Sequence, residues 1–113
     1  MTDVIALPAD PSADIDVHTA AALSDAGLVD LLDVRERDEW AAGHSAGATL
    51  IPLGELCGTL VGLAGPIVAV CRSGNRSGIA AGLLRARGLR VHNMASGMIA
   101  WTVADLPQVT GSN

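Results

Sequence analysis

Aromatic residues are nearly absent from this sequence: two Trp, no Phe and no Tyr in 113 residues. A core must therefore be filled by Val, Leu, Ile and Ala, which suits a parallel sheet covered by helices on both faces. Cysteine is equally sparse. Cys57 and Cys71 do not make a disulfide framework, and in a cytoplasmic protein such thiols stay reduced. Long apolar runs are missing too. The longest, from Leu60 to Val70, is interrupted by Gly62, Gly65 and Pro66 and is too short to cross a bilayer. The opening MTDVIALPADPSADID has no basic stretch followed by an apolar one, so it does not read as a secretory signal. A cytoplasmic protein with no membrane partner is the expectation.

Acidic residues are missing from one half of the chain. Between Glu55 and Asp105 there is none, while Arg72, Arg76, Arg85, Arg87 and Arg90 give that segment a charge of +5. Arg35 and Arg37 set against the 12 acidic residues leave the remainder at −10. The net charge of −5 argues against nucleic acid as a partner. The basic segment is the half that attracts anions. Arg85, Arg87 and Arg90 read as residues that cap and solvate helices, whereas Arg72 and Arg76 flank a cysteine.

The length fits one domain. Residues 1–13, with Pro8 and Pro11, read as a tail or a loosely docked arm, 14–108 as the domain and 109–113 as a second tail. Within the domain short apolar runs alternate with helical patterns. HTAAALSDAG reads as a helix closed by Gly27, LVDLLDV (28–34) as a buried strand and ERDEWAAG as a short helix ended by Gly43. ATLI reads as a brief strand, and Pro52 opens a helix over LGELCGTL. PIVAVC (66–71) is the strongest strand. SGIAAGLLRARG (77–88) follows as a helix with apolar Ile79, Ala80, Leu83 and Leu84 and Gly88 at its end. LRVHNM and GMIAWTVA supply a last strand and helix. The expected architecture is α/β: a mainly parallel central sheet of about five strands with helices on both faces.

Ligands of open α/β sheets bind beyond the carboxyl ends of the strands. Cys71 and Asp33 stand at two such ends. A tight turn from Arg72 to Arg76 aims successive backbone N–H groups at the sulfur, and a helix starting near Ser77 adds its positive end. A thiol in that field ionises more readily than the unperturbed pKa of about 8.5 allows. Gly74 lets the backbone turn closely, and Arg72 and Arg76 can attract an anionic substrate. The plainer reading of Cys71, a small buried hydrophobe at a strand end, does not explain the CRSGNRS that follows it.

Three motifs together resemble the rhodanese-like family in its single-domain form, over about Ile15 to Pro107. LLDVRERDEWAAGHSAGATLIPL (31–53) is similar to the family's Asp-Val-Arg, Glu-aromatic, Gly-His and Ile-Pro segment. CRSGNRS (71–77) looks like its active-site loop, and SGMIAW followed by LP (96–107) resembles its closing motif. The sequence departs from the pattern at Ser45 and Ala46 in place of an Ile-Pro pair, at Val70 in place of an aromatic, and at Ser96 in place of a glycine.

The resemblance implies transfer of sulfane sulfur. Cys71 would take sulfur from a donor such as thiosulfate as a persulfide and pass it to cyanide or a thiol. The substrate-binding residues are then Arg72, Ser73, Gly74, Asn75, Arg76 and Ser77, with Asp33 and Arg35 in support. No metal or organic cofactor is implied. The partners are a small-molecule sulfur donor and acceptor, or a sulfur-accepting protein. The alternatives are a non-catalytic interaction or sulfur-carrier module, and a cysteine-based phosphatase or arsenate reductase. The latter place one residue more between cysteine and arginine than the four found here, so a phosphate fits this loop poorly.

Other residues have simpler readings. Asp33 and Arg35 form a charge network supporting the loop, with Arg37 or Glu39. His44 reads as a helix-end histidine bonded to backbone, and His18 and His92 as ordinary. Cys57 reads as core, or else as a resolving thiol. Trp40 and Trp101 anchor helices to the sheet. Ser77 either donates to the sulfur or caps the following helix.

Overall fold

The computed structural model describes residues 6–58 and 65–112. In chain order its elements are α1 (Val17–Asp25), β1 (Asp30–Asp33), α2 (Arg37–Ala42), β2 (Ala48–Leu50), a 3-10 helix (Leu53–Gly58), β3 (Ile67–Val70), α3 (Asn75–Arg85), β4 (Val91–Asn93) and α4 (Gly97–Val103). The strands form one parallel sheet in the order β2-β1-β3-β4. Because the chain leaves β1 in one direction and returns to its other side as β3, the crevice at their carboxyl ends is the topological switch point. The register brings Asp33 opposite Val70 and Asn93 opposite Ala69, so β1, β3 and β4 end at one rim.

Alternation along the strands sorts the apolar residues into two layers. Leu31, Val68 and Val70 face α1 and α4, packing with Leu23, Met98 and Trp101. Leu32, Ile67, Ala69 and Cys71 face α3 and the 3-10 helix, packing with Leu56, Ala80, Ala81 and Leu84. The sheet is thus covered on both faces, as its uninterrupted apolar strands require.

Local signals set the helix ends. The Asp16 carboxylate accepts the Thr19 N–H at 2.7 Å and starts α1. The chain leaves α1 through Gly27 at φ +72, with Leu28 N–H bonded to Leu23 O. α3 begins two residues before the expected position, and its inward face is Ser77, Ala80, Ala81 and Leu84. Ile79 and Leu83, expected on the apolar face, are exposed at 58% and 42%, because the small pair Ala80–Ala81 takes the contact with the sheet.

The helix expected after Pro52 is the 3-10 helix; Thr59 and Leu60 lie outside the described residues. A three-residue turn stacks Leu53 over Leu56 and turns Cys57 outward. Cys57 is therefore exposed, which corrects its reading as core.

Among the described residues the sheet has four strands, where about five were expected. Beside the outer edge of β4 the chain makes a single bridge among the described residues, Ile15 to Met94, with Ile15 N–H on Asn93 O and Ala95 N–H on Ile15 O. Pro8 and Pro11 cannot donate to a ladder, and Asp16 already caps α1, so the short segment between them has little room to extend the pairing. Side chains complete the attachment. Arg90 donates to Pro8 O and to His92 Nε2, the opposite nitrogen of His92 donates to Ala13 O at 2.7 Å, and Arg85 reaches Ser12 O. Arg85 and Arg90 thus hold the arm over a sheet edge instead of capping helices, and they shield that edge from other strands.

Arg87 is exposed and makes no side-chain hydrogen bond among the described residues. Arg90→Ala is expected to cost about 1–2 kcal/mol of unfolding free energy, and Arg87→Ala no more than about 0.5 kcal/mol, as read from urea unfolding. Equal losses would mean that the arm is not held this way.

Candidate active site

β3 delivers Cys71 to the switch-point rim with its side chain 1% exposed. The chain then turns through Arg72, Ser73 and Gly74, whose φ of +104 suits glycine alone, and enters α3 at Asn75. This turn points donors at the sulfur. Gly74 N–H lies 3.1 Å from Sγ and Ser77 Oγ 3.2 Å away. Burial pushes the thiol up, while hydrogen bonds from the Ser77 hydroxyl and from the amides of Ser77, Gly74 and Ser73 pull it down by more. The net direction is below the ordinary thiol value, so the site eases ionisation of Cys71.

α4 fixes the opposite side of the loop. Met98 N–H donates to Cys71 O at 2.8 Å and Ile99 N–H to Arg72 O at 3.0 Å. A trans peptide is planar, so drawing the Arg72 carbonyl toward α4 turns the Ser73 N–H away from it, to the sulfur side. The approach is close enough to demand glycine. A Cβ on Gly97 would stand 2.3 Å from Cys71 O and 2.6 Å from Arg72 C. Ser96, at the position where the family motif has a glycine, is held at φ 61.

Among the described residues, two ion pairs flank the loop. Arg35, itself buried, grips Asp33 through Nε at 3.0 and 3.1 Å and through Nη2 at 2.8 Å, and donates to Gly43 O at 2.8 Å and Glu39 O at 3.3 Å. The network thus includes the Glu39 backbone, while Arg37 turns outward to Glu55. Arg76 forms a two-pronged pair with the Glu39 carboxylate at 2.6 and 2.8 Å, where it was expected to face an anionic substrate. The paired guanidinium holds Glu39 down at about 2. Glu39 also accepts Glu36 N–H and so closes the capping box of α2.

Arg72, Ser73 and Asn75 are exposed. Arg72 has no ion-pair partner among the described residues and lines a cavity of about 480 Å³ with Arg35, Glu39, Met98, Ile99 and Val103. Cys71 does not line that cavity. Ser77 stands in the first turn of α3, after the cap position at Gly74, and makes no cap bond; its hydroxyl serves Cys71 and Asn93. His44 is a buried helix-end residue bonded to Trp40 O and stacked on the Trp40 ring, with centroids 3.5 Å apart. Among the described residues no group of three or more His, Cys, Asp or Glu is placed to hold a metal ion. Two site residues were missed by the sequence reading: Glu39 as partner of Arg76, and Asn93, which sits at the end of β4 against Ser77 and Gly74. Only the common rim of the three strands could have signalled Asn93.

The profile of the Rhodanese-like domain family matches residues 16–104. The chain belongs to the rhodanese-like family. An HTH-type transcriptional regulator of Mycobacterium tuberculosis is 39% identical over 92 residues, covering 78% of this chain and 41% of that protein. Thiosulfate sulfurtransferase from Pseudomonas aeruginosa superposes with a TM-score of 0.81 at 29% identity, over 96% of this chain and 21% of that one. A rhodanese-related protein from Thermoplasma volcanium does so with a TM-score of 0.79 at 28% identity, over 85% of this chain and 96% of that one. The chain spans less than half the length of the curated relatives it matches.

A carboxylate held below its unfolded value stabilises the fold above that value and loses its contribution as it is protonated. For Glu39 the window runs from 4.5 down to about 2. Wild type is expected to be more stable than Glu39→Gln at neutral pH, and their urea midpoints to converge across that window as pH falls. A constant difference would place the effect elsewhere.

Proposed function

We propose that this rhodanese-like domain is a sulfurtransferase with Cys71 as nucleophile. The Cys71 thiolate attacks the outer sulfur of a donor such as thiosulfate. A new sulfur–sulfur bond forms, the donor's bond breaks, and its electron pair leaves with sulfite. An acceptor, cyanide or a thiol, then attacks the outer sulfur of the persulfide and returns Cys71 as thiolate. Two substitutions through one covalent intermediate give ping-pong kinetics. The observation that carries this reading is the pair of donors on Sγ, the Gly74 amide and the Ser77 hydroxyl, which suit a sulfur anion before and after loading. The likeness to a thiosulfate sulfurtransferase supports it. Arg72 is the loop cation that attracts the anionic donor, since Arg76 is neutralised by Glu39.

The likeness to a putative sulfur carrier protein of Bacillus subtilis, and to a transcriptional regulator, favours a second reading, in which the domain is a sulfur carrier or interaction module. The two readings part at turnover. Incubation with thiosulfate followed by intact mass measurement is expected to show a gain of one sulfur atom that vanishes in Cys71→Ser. Release of that sulfur to cyanide or a thiol supports the transferase. Loading without release supports the carrier, and phosphate released from an aryl phosphate instead would return the site to the phosphatases. Arg72→Ala is expected to raise the KM for thiosulfate by about threefold or more at low salt and to weaken its salt dependence. An unchanged KM would remove Arg72 from donor binding.

A further inference from the structure

The proton of the Ser77 hydroxyl has two claimants. Ser77 Oγ lies 3.2 Å from Cys71 Sγ and 2.5 Å from Asn93 Oδ1. A hydroxyl carries one proton, so it can donate to only one of them at a time. The other end of Asn93 decides which. Its amide donates to Gly74 O at 3.1 Å, and a carbonyl can only accept, so that end is nitrogen and the end facing Ser77 is oxygen. That oxygen has no proton to offer. While Cys71 is a neutral thiol, Ser77 therefore donates to Asn93 and turns a lone pair toward Cys71.

A neutral thiol satisfies this arrangement, because its S–H can donate to Ser77 Oγ. A thiolate does not. Two lone-pair-bearing atoms would then face each other at 3.2 Å unless the hydroxyl swings from Asn93 to the sulfur. That swing leaves Asn93 Oδ1 without its donor, at a cost. We infer that Asn93 is a positioning residue that claims the Ser77 proton while Cys71 is a thiol and gives it up when Cys71 is an anion. Asn93 cannot itself take the thiol proton, which leaves to water; the amide acts only as the competing acceptor.

Asn93 is held firmly enough for this role. Its backbone pairs with Ala69 in the sheet, and its carbonyl accepts the Ile15 N–H of the arm. The Gly74 side of the loop does not depend on Asn93 alone, because Gly74 O also receives Gly78 N–H as the first bond of α3. Loss of the side chain should therefore free Ser77 without displacing the Gly74 amide. The charged group that interacts with the sulfur is Arg76 from α3, paired with Glu39 of α2; the Asp33–Arg35 pair stands at the end of β1. Arg72 follows it on the loop. None of these pairs involves Asn93, so they stay constant in a comparison at that position.

The switch itself is independent of sulfur transfer; its place in turnover rests on that reading. The test is a thiolate titration of the full chain by ultraviolet absorbance and by the pH profile of iodoacetamide alkylation. Every protein carries Cys57→Ser to remove the exposed thiol. Asn93→Ala is expected to lower the midpoint and give about threefold to tenfold more thiolate at a pH below it. Ser77→Ala should raise the midpoint, and Asn93→Ala added to it should then change nothing. A raised or unaltered midpoint in Asn93→Ala, or a shift that persists beside Ser77→Ala, overturns the inference. Asn93→Leu, close in shape to Asn, provides the same reading if the alanine protein does not fold. Thiosulfate loading measured in parallel separates the two ideas: no persulfide in any variant removes the transferase and leaves the titration standing.

Discussion

A sulfur that is 1% exposed can carry charge only if the protein replaces the water it has lost. At Cys71 the replacement is local and directional: an amide at 3.1 Å, a hydroxyl at 3.2 Å, and further amides from the turn and the first turn of α3. The surrounding structure can be read as the means of holding those donors in place. Gly74 takes the left-handed conformation that brings its N–H back over the strand end. α4 pulls the carbonyls of Cys71 and Arg72 outward, and Gly97 lacks a side chain so that it can approach closely enough to do so. β3, buried on both faces between β1 and β4, supplies a rigid base from which the sulfur projects.

Charge contributes less than the sequence total suggests. The +5 segment contains five arginines, but the fold assigns them separate tasks. Arg85 and Arg90 bind carbonyls of the N-terminal arm, Arg76 is cancelled by Glu39, and Arg87 is exposed. Only Arg72 stands both beside the cysteine and without an ion-pair partner among the described residues. The anion-stabilising power of the loop therefore comes from aligned backbone dipoles and one hydroxyl more than from side-chain charge. Backbone donors have an advantage here: they are fixed by the fold, need no desolvation of a full charge, and are screened little by salt.

Much of this was legible in the sequence because it is encoded locally. Buried parallel strands show as apolar runs, Gly27 and Gly43 mark helix ends, and CRSGNRS carries the turn and the donors in one stretch. What escaped was set by geometry between distant segments or by the choice between helix types. Cys57 looked like core because an α-helical period was assumed, and a 3-10 turn of three residues rotates it outward. Glu39 was expected in the Asp33–Arg35 charge network, but its pairing with Arg76 depends on how α2 sits against α3 across the rim. Ser77 could be a cap or a donor until the start of α3 was fixed at Asn75. Asn93 reads as one more polar residue at a strand end, and only the parallel register of β3 and β4 puts it within reach of the loop.

The same register explains why a sulfur site can be stable without being permanently ionised. Donors alone would favour the thiolate at all times, and an exposed thiolate is the form most open to oxidation. Burial opposes them, and so does a neighbour that competes for one of the donors. Asn93 is placed to be that neighbour because its amide is tied to Gly74, the same residue whose N–H reaches the sulfur. Loop geometry and proton placement are therefore coupled through one peptide segment: a movement that lifts Gly74 from the sulfur also disturbs the amide that holds the Ser77 hydroxyl.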